Sequence, residues 1–595
     1  MENHEKVKIL CPDCNNTLKI NEEVICNNCH KIFSHKKNII KLFGSNKNPN
    51  KYSEEDEFLL DKINKLGYED AIKIFIKKFP QHKTQLINPE FNQSADHIFY
   101  CLNEKNKRCL ILENKFGNTV ETISHIFDQV ISQNSKIEHL EIQSKRFKNK
   151  KNITLVNSGF KKLNFSDNYF DLILIENIEK MNDDEQIFLL FKEIFRILTP
   201  EGCLVFNNTK SHDQMNQILK KSNFKIKQYW SMQKNQYPSF SGKIDDHIAL
   251  RWYMNNVSNF LTSQKISLQK KIMIWTMKNN LKQATTIFKK KFVPTRIFCC
   301  YKNNFSTSLL DLIEKETNYN NFVIQSRPKK IKIIVLDNKG IPRKIVNFNR
   351  FGYKFPSKIT TAYRKFPKMN DPKERIWIEN WYEGESINPE KIEHVEAAIE
   401  WLIKFQKDTK QNSMDINKLH KEIDEIKINV EKSQSLNFPD CFKWIENYKN
   451  YIEKNNFHYT AIHGDYWIDN ILINEKLTKI SVIDWEKYEK KWTPFYDFMF
   501  FFIRLMTKTK TSSLDTEKFE NFLDIKSEKS KMISSLKKKI DIHFDCNFDF
   551  LILLRMFIIK RILEPPYGSS IINKSDSDKQ LKMLELLSEK QELFI

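Results

Sequence analysis

The stretch AIHGDYWIDNIL at residues 461–472, followed by ISVIDWE at residues 480–486, carries the most informative pattern in the chain. Two short apolar runs within it flank a polar turn, which is the pattern of a β-hairpin. A pairing centred on residue 477 places Asn470 opposite Asp484 at one end of this hairpin. An amide oxygen and a carboxylate oxygen in such a pair suit Mg²⁺, which proteins commonly share with substrate phosphates. We therefore predict that these two residues are metal ligands.

Asp465 lies five residues before Asn470, on the turn that leaves an apolar strand. From this position its carboxylate can take the proton of an attacking hydroxyl. A base carboxylate, followed by an amide and a second carboxylate on the metal, is an arrangement used for phosphoryl transfer. A lone Asp or Asn in a loop is more often a turn or cap residue, but the complete set at this spacing favours chemistry.

Together with PFYD at residues 494–497, these motifs resemble the aminoglycoside phosphotransferase and choline kinase family, which has a protein-kinase-like fold. The resemblance implies that Asp465 is the catalytic base and that Asn470 and Asp484 hold Mg²⁺. It also implies that His463 orders the catalytic loop. The cofactors would be ATP and Mg²⁺, and the substrate a hydroxyl group on a small molecule or glycan.

A second hairpin is predicted at residues 331–348, where two apolar runs flank the turn DNKG. It resembles the N-terminal lobe of the same family, which places a lysine on the second strand to hold the ATP phosphates. The aligned position here is Asn347. Lys344 and Arg350 are the nearest alternative cations, and we predict that Lys344 binds the nucleotide.

Two C-x-x-C pairs near the N-terminus predict a metal site. They comprise Cys11, Cys14, Cys26 and Cys29. Zinc prefers four thiolates in a tetrahedron, and a short segment without a core gains folding energy from such a metal. We predict a structural Zn²⁺ in a zinc ribbon, the alternative being four free thiols. The segment resembles the small zinc ribbons often fused ahead of methyltransferase domains.

Between about residues 98 and 227, short apolar runs alternate with amphipathic segments, as in βαβ units. We predict strands at 109–112, 137–142, 170–175 and 202–207, and helices at 120–131 and 184–198. A parallel sheet covered by helices on both faces follows from this pattern.

Two motifs in this region, LNFSDNYFDLIL at 163–174 and FKEIFRILTPEG at 191–202, resemble the class I S-adenosylmethionine (SAM)-dependent methyltransferase family. The resemblance implies a Rossmann-like fold with a cofactor loop at residues 113–118, of whose usual glycines Gly117 remains. It also implies that Glu141, which we place at the end of the second strand, holds the ribose hydroxyls of SAM.

Two interpretations of this domain stay open. Either it binds SAM in a modified pocket, or it is a retired methyltransferase fold that serves as a scaffold or docking surface. The side chains of Glu113 and Lys115 stand in the loop where the ligand needs space, and they favour the scaffold.

Composition narrows the class of protein. The chain has 595 residues, enough for about three or four folding units. Its net charge is +22, but the lysines are spread along the chain, which argues against a nucleic-acid-binding protein. The longest apolar runs contain Arg504 or Arg555 and are too short to span a membrane. Eleven unevenly placed cysteines indicate a reducing, cytoplasmic location.

The sequence thus predicts a multidomain protein of mixed α/β and α+β class. The predicted parts are a zinc ribbon (1–45), a methyltransferase-like domain (85–230), a helical connector (231–290) and an aminoglycoside phosphotransferase-like kinase domain (291–575). The leading hypothesis is an ATP- and Mg²⁺-dependent phosphotransferase. The alternatives are a pseudokinase and pseudo-methyltransferase scaffold, or an active methyltransferase with an accessory kinase-like domain.

Overall fold

The computed structural model of the chain divides into two compact units, Met1–Trp381 and Tyr382–Ile595. Buried apolar side chains fill both units. The structure describes residues 8–21, 23–36, 38–42, 52–82, 101, 107–176, 178, 183–208, 212–232, 239–256, 295–303, 308–326, 330–349, 360–361, 376–433, 436, 439–455, 457–474, 479–507, 515–524, 527–544, 547–563 and 574–588.

The N-terminal segment of the first unit forms a small antiparallel sheet. Its strands are β1 (Leu18–Ile20), β2 (Val24–Cys26), β3 (Ile32–Lys36) and β4 (Ile39–Lys41), paired in that order. Asn15 and His30 adopt left-handed backbone conformations, and their amides donate to the carbonyls of Cys11 and Cys26. Each C-x-x-C pair therefore closes a tight turn.

Two helices follow, α1 (Glu54–Leu66) and α2 (Tyr68–Lys78). The side chain of Ser53 caps α1 by accepting a hydrogen bond from the amide of Asp56 at 3.2 Å. The apolar faces of both helices pack together with Phe116 and Ile142 in one buried cluster. This cluster fixes the two helices on the part of the first unit that contains the candidate cofactor loop.

The centre of the first unit is a parallel sheet with connecting helices. Its elements are β5 (Arg108–Leu112), α3 (Asn118–Ser124), β6 (Gln129–Asn134), α4 (Ile137–Arg146), β7 (Ile153–Asn157), β8 (Phe170–Ile175), α5 (Asp184–Ile197) and β9 (Leu198–Asn208). The strand order is β7-β6-β5-β8-β9. The chain winds outward from β5 in one direction and then returns to its other side, so a switch point lies between β5 and β8. Ligands of such sheets bind in the crevice at the carboxyl ends of the strands beside the switch point.

Further strands extend this sheet at both edges. On one edge β4 pairs in parallel with β7. The elements on the other side are α6 (His212–Lys221), β10 (Lys225–Met232), β11 (Ser239–Lys243), α7 (His247–Asn256), β12 (Thr295–Tyr301), α8 (Leu309–Thr317), β13 (Asn321–Ser326), β14 (Lys330–Leu336), β15 (Pro342–Asn349), β16 (Thr360–Thr361) and β17 (Ile376–Asn380). β12 is antiparallel to both β9 and β10 and lies between them. From β10 the pairing continues through β11, β13, β14, β15 and β17 to β16.

The second unit is mainly helical, with two small sheets. Its elements are β18 (Glu385–Ser386), α9 (Ile392–Asp408), α10 (Ile416–Lys432), α11 (Pro439–Asn455), β19 (Thr460–Ile462), β20 (Ile471–Ile473), β21 (Ile480–Val482), β22 (Glu489–Trp492), α12 (Tyr496–Thr507), α13 (Thr516–Phe522), α14 (Glu528–Phe544), α15 (Phe550–Leu563) and α16 (Lys574–Ser588). One sheet joins β18, β20 and β21, and the other joins β19 and β22. A search of the described residues finds no helix with the length and apolar character needed to cross a bilayer.

Several predicted elements are confirmed, among them the strands at 109–112 and 170–175, the helix at 184–198 and both predicted hairpins. The predicted strand at 137–142 is wrong, because these residues form the helix α4. The predicted helix at 120–131 ends at Ser124, and its last residues belong to β6.

The predicted domain limits also differ from the observed division. The limit at residue 290 would separate β12 from β9 and β10, with which it pairs. The unit boundary instead follows Trp381. Most of the predicted connector, including residues 257–290, lies outside the described residues.

Candidate functional site

The loop after β5 lies at the switch point of the sheet, and it begins with an unusual backbone conformation. Glu113 has a φ of 60°, in the left-handed region that glycine adopts without strain. Its Oε1 atom accepts hydrogen bonds from the amide of Ser135 at 3.0 Å and from the hydroxyl of Ser135 at 2.8 Å. Because Ser135 directly follows β6, this contact holds a carboxylate at the carboxyl end of that strand.

Buried amide side chains fix the next part of the loop. The carbonyl of Asn114 accepts hydrogen bonds from Asn134 Nδ2 at 3.0 Å and from Gln143 Nε2 at 2.6 Å. Asn134 is the last residue of β6, and its Oδ1 accepts from the amide of Lys136 at 2.9 Å. These contacts hold the loop against β6 and α4.

Gly117 is the residue from which α3 begins, and it has a φ of 82°. A Cβ atom added there would lie 2.6 Å from Cζ of Phe147 and 3.1 Å from Cγ of Gln143. The close packing against the end of α4 therefore requires glycine at this position. Its role toward a cofactor stays a prediction.

Lys115 connects the loop to α1. Its Nζ lies 2.8 Å from Oδ1 of Asp56 and 3.4 Å from Oε2 of Glu55. Asp56 is buried, and burial alone would raise the pKa of its carboxyl. Interactions with His139, Lys115 and Ser53 outweigh burial and hold that pKa well below its usual range. Asp56 is thus a buried carboxylate that keeps its charge, and it fixes Lys115.

Glu141 does not lie where the sequence predicted it. We placed it at the end of the second strand, but it lies within α4. The residue that ends the strand is Asn134. The proposed ribose contact of Glu141 depended on the wrong strand assignment, and the carboxylate that the structure places beside the end of β6 is that of Glu113.

In the second unit, β20 and β21 form the predicted hairpin, but their pairing register differs by one residue from the predicted register. Ile471 pairs with Val482, and the carbonyl of Asn470 accepts a hydrogen bond from the amide of Ile483 at 2.9 Å. Asn470 therefore lies opposite Ile483, and Asp484 follows one residue later. The difference arises because Ile473 pairs with Ile480, which leaves an even number of residues between the strands. A pairing centred on residue 477 would leave an odd number.

The candidate base lies in a loop that is bonded to this hairpin. Asn470 Nδ2 donates to the carbonyl of Asp465 at 3.0 Å, and the amide of Asp465 donates to Nδ1 of His463 at 3.2 Å. His463 Nε2 lies 3.0 Å from the carbonyl of Ile483. Burial lowers the pKa of His463 to about 4. The ring is therefore neutral near pH 7, with Nδ1 as acceptor and Nε2–H as donor.

Asp497, in the first turn of α12, also holds the loop that contains Asp465. Its carboxylate accepts hydrogen bonds from the amides of His463 at 2.7 Å and Gly464 at 2.9 Å. Burial raises the pKa of this carboxyl to about 7, although both hydrogen bonds favour the charged form. Gly464 has a φ of 78°, and an added Cβ would lie 2.3 Å from the carbonyl oxygen of Lys487.

Sequence reasoning missed one residue at this site. The Nζ of Lys487 lies 3.3 Å from Oδ1 of Asp465. The two residues are 22 positions apart, and only the position of Lys487 three residues after Asp484 offers a sequence signal. The structure thus combines a carboxylate, a cation and an amide around one loop.

The predicted nucleotide-binding cation lies in the first unit. Lys344 is on β15, where it pairs with Val335 of β14 and with Asn380 of β17. Asn347 on the same strand is buried, and its Oδ1 has no hydrogen-bond partner among the described residues. Arg350 lies outside the described residues. The role of Lys344 in binding ATP stays a prediction.

The four N-terminal cysteines come together as predicted. The sulfur atoms of Cys11, Cys14, Cys26 and Cys29 all lie within 4.8 Å of one another. Cys14 Sγ is 3.3 Å from Cys26 Sγ, and Cys11 Sγ is 3.6 Å from Cys29 Sγ. A tetrahedral zinc ion with bonds of about 2.3 Å separates its sulfur ligands by about 3.8 Å. The donor set therefore fits zinc.

Comparison with known proteins gives one sequence match. Residues 116–206 match a family model described as a methyltransferase domain. This segment runs from the cofactor loop through α3, β6, α4, β7, β8 and α5 into β9. None of the curated proteins matches the chain. The first unit therefore contains a segment similar to methyltransferase domains, within a parallel sheet of Rossmann-like topology, and the match does not extend to the second unit.

Solved structures give weaker similarities. Phosphoethanolamine N-methyltransferase 2 of Haemonchus contortus, in complex with SAM, is 18% identical, with coverage of 41% of this chain and 60% of that chain and a TM-score of 0.26. The YcgJ protein of Bacillus subtilis is 12% identical, with coverage of 36% and 98% and a TM-score of 0.23. The chain thus spans about 60% of the length of the nematode enzyme.

Proposed function

We propose that the first unit is a SAM-dependent methyltransferase. The observation that carries this proposal is the match of residues 116–206 to a methyltransferase domain. The segment begins in the loop after β5 and contains β8, and sheets of this type bind their ligands at the switch point between these two strands. Bound SAM would supply an electrophilic methyl group on sulfur, and the protein would bind and orient the cofactor.

The residues at the crevice offer suitable groups for SAM. Gly117 and Asn114 keep the loop backbone close to α4 and β6. Glu113 provides a carboxylate beside the end of β6, which is an acceptor suited to ribose hydroxyls. The ammonium group of Lys115 is held by Asp56 and Glu55 of α1. The two side chains that favoured a scaffold are therefore each fixed by a specific contact.

Titration calorimetry of the purified chain with SAM and with S-adenosylhomocysteine tests this proposal. We expect one site per chain and a dissociation constant in the micromolar range, as is typical of cofactor binding. Incubation with labelled SAM and a panel of small-molecule acceptors should then transfer label. A chain that binds neither cofactor form would contradict the methyltransferase proposal and favour the scaffold.

A second candidate function, phosphoryl transfer, is supported by the contacts of Asp465. Its carboxylate lies beside Lys487, and its backbone is bonded to Asn470 and His463. In this proposal Asp465 accepts the proton of the acceptor hydroxyl, and Lys487 offsets negative charge beside it. Asn470 and Asp484 would hold Mg²⁺ through their side-chain oxygens, and bound ATP would supply the phosphoryl group.

Turnover of Mg-ATP with hydroxylated acceptors tests the second candidate. Asp465→Asn should lower turnover by about 10³-fold or more, because it removes the base, and should leave Mg-ATP binding in place. Lys487→Ala should lower turnover about 10–100-fold, because the charge beside the base is lost. Asp469→Asn is the matched control and should have no effect. Equal turnover in Asp465→Asn and the unsubstituted chain would refute this assignment.

A further inference from the structure

The crevice at the end of β6 lacks an acidic residue where the sheet type leads one to expect it. In nucleotide-binding sheets of this class, an Asp or Glu about 20 residues after the loop holds the ribose hydroxyls. Here the corresponding residues 133–135 are Gln, Asn and Ser. Asn134 already donates to the carbonyl of Asn114 and accepts from the amide of Lys136. The strand therefore supplies no carboxylate of its own.

A carboxylate nevertheless stands beside this strand end, and it comes from the loop. Glu113 Oε1 accepts from both the amide and the hydroxyl of Ser135. A non-glycine residue in the left-handed conformation is strained, and such outliers persist where surrounding contacts over-determine them. The amides of Asn134 and Gln143 provide those contacts at the next residue, Asn114.

We propose that Glu113 is the residue that binds the ribose hydroxyls of the cofactor, in place of the acidic residue that β6 lacks. This inference depends on the proposed methyltransferase function of the first unit. The hydrogen bonds from Ser135 orient the carboxylate. Hydrogen bonds from two hydroxyls to a charged acceptor are stronger than those to a neutral amide. Glu113 thereby contributes to cofactor selectivity and not to the methyl-transfer step.

Binding of S-adenosylhomocysteine, measured by calorimetry with the full chain, tests this inference. Glu113→Gln should weaken binding about 10-fold or more, and Glu113→Asp, which keeps the charge on a shorter side chain, should weaken it less. Glu141→Gln is the matched control, because Glu141 lies in α4, and it should change binding less than 2-fold. Thermal unfolding without ligand verifies that each variant is folded.

The 2′-deoxy analogue of S-adenosylhomocysteine makes the test specific for the ribose. The unsubstituted chain should prefer the parent compound about 10-fold over this analogue, and Glu113→Gln should reduce the preference to about 2-fold. Tighter binding by Glu113→Gln, or an unchanged preference, would overturn the inference while leaving the proposed function in place. An unsubstituted chain that binds neither compound would instead overturn the proposed function, and the inference with it.

Discussion

At the scale of single residues, the loop that carries Asp465 depends on a glycine. Gly464 has a left-handed backbone conformation, and its amide donates to Asp497. The carbonyl of Lys487 occupies the space that a side chain at this position would need. Lys487 in turn places its ammonium group 3.3 Å from the Asp465 carboxylate. The absence of a side chain at Gly464 therefore allows the segment containing Lys487 to approach the candidate base.

Gly464→Ala should consequently destabilise the second unit by roughly 2–4 kcal/mol. About 1–2 kcal/mol comes from the left-handed backbone, and the remainder from the contact of 2.3 Å with a backbone oxygen that cannot move without its neighbours. Differential scanning calorimetry of the variant measures this loss. Gly340→Ala is the control, because Gly340 has a similar φ of 82° and its added Cβ would meet only a side-chain methyl at 3.5 Å. Equal losses in the two variants would show that the Lys487 contact is unimportant.

At the scale of elements, the cysteine segment is part of the main sheet. β4 pairs with β7, and the amide of Leu42 donates to the carbonyl of Asn157 at 2.9 Å. Near the first cysteine pair, the amide of Leu10 donates to the carbonyl of Asn164 at 2.8 Å. Folding of the cysteine segment therefore determines whether one edge of the sheet is covered.

Metal analysis should find about one zinc per chain, and Cys26→Ser should lose it, because three thiolates bind zinc more weakly than four. Backbone amides of β4 and β7 should then exchange with solvent faster, as followed by hydrogen exchange. Cys441→Ser, which changes a cysteine of α11 in the second unit, is the control. A metal-free purified chain with slow exchange in β4 would contradict the prediction.

The attachment of α1 should depend on pH through Asp56. Its pKa lies below the unfolded value, so its stabilising contribution is complete above about pH 4 and is lost as the pH falls through the lowered folded pKa. Asp56→Asn should remove this dependence. This substitution should also lower the free energy of unfolding by roughly 1–3 kcal/mol near pH 7, because Lys115 and His139 lose a buried partner.

Hydrogen exchange in α1 at pH 7 and at about pH 3, expressed as protection relative to the unfolded chain at the same pH, measures the effect of Asp56→Asn. Asp61→Asn serves as the control in the same helix, since the Asp61 side chain is 44% exposed and its ion pairs among the described residues are with Lys62 and Lys65. It should leave exchange nearly unchanged at both pH values. Equal protection of α1 in Asp56→Asn and the unsubstituted chain would refute the role of Asp56.

The sequence could predict the secondary structure of segments that have a clear local pattern. Prediction failed where tertiary packing determines the conformation or the contacts of a residue. The apolar run of β5 is long enough to indicate a buried strand. The segment 137–142 is too short for its periodicity to distinguish a strand from a helix. In the structure it is helical, and Ile142 packs against α1 and α2. The pairings of Lys487 with Asp465 and of Lys115 with Asp56 join residues far apart in sequence, so no local pattern reveals them.

At the scale of the whole molecule, the two candidate activities fall in different units. The sheet of the first unit runs from β1 to β16, and it includes the hairpin that the sequence assigned to a kinase lobe. The loop with Asp465, the hairpin with Asn470 and the helix with Asp497 all belong to the second unit. Each unit has its own buried apolar side chains, so each can unfold as a separate cooperative transition.

Scanning calorimetry of the full chain should therefore show two transitions with separate ligand responses. A ligand at 100 times its dissociation constant stabilises the state that binds it by about 2.7 kcal/mol. For the first unit, Met1–Trp381, whose unfolding entropy is about 2 cal/mol/K per residue, this raises the midpoint by roughly 3 °C. S-adenosylhomocysteine should raise the midpoint temperature of the first unit's transition only. The substitution Gly340→Ala identifies this transition, because it should lower the same midpoint. A transition identified by Gly464→Ala should not respond to S-adenosylhomocysteine. A single transition that shifts as a whole with this ligand would show that the two units fold as one, and would contradict the division at Trp381.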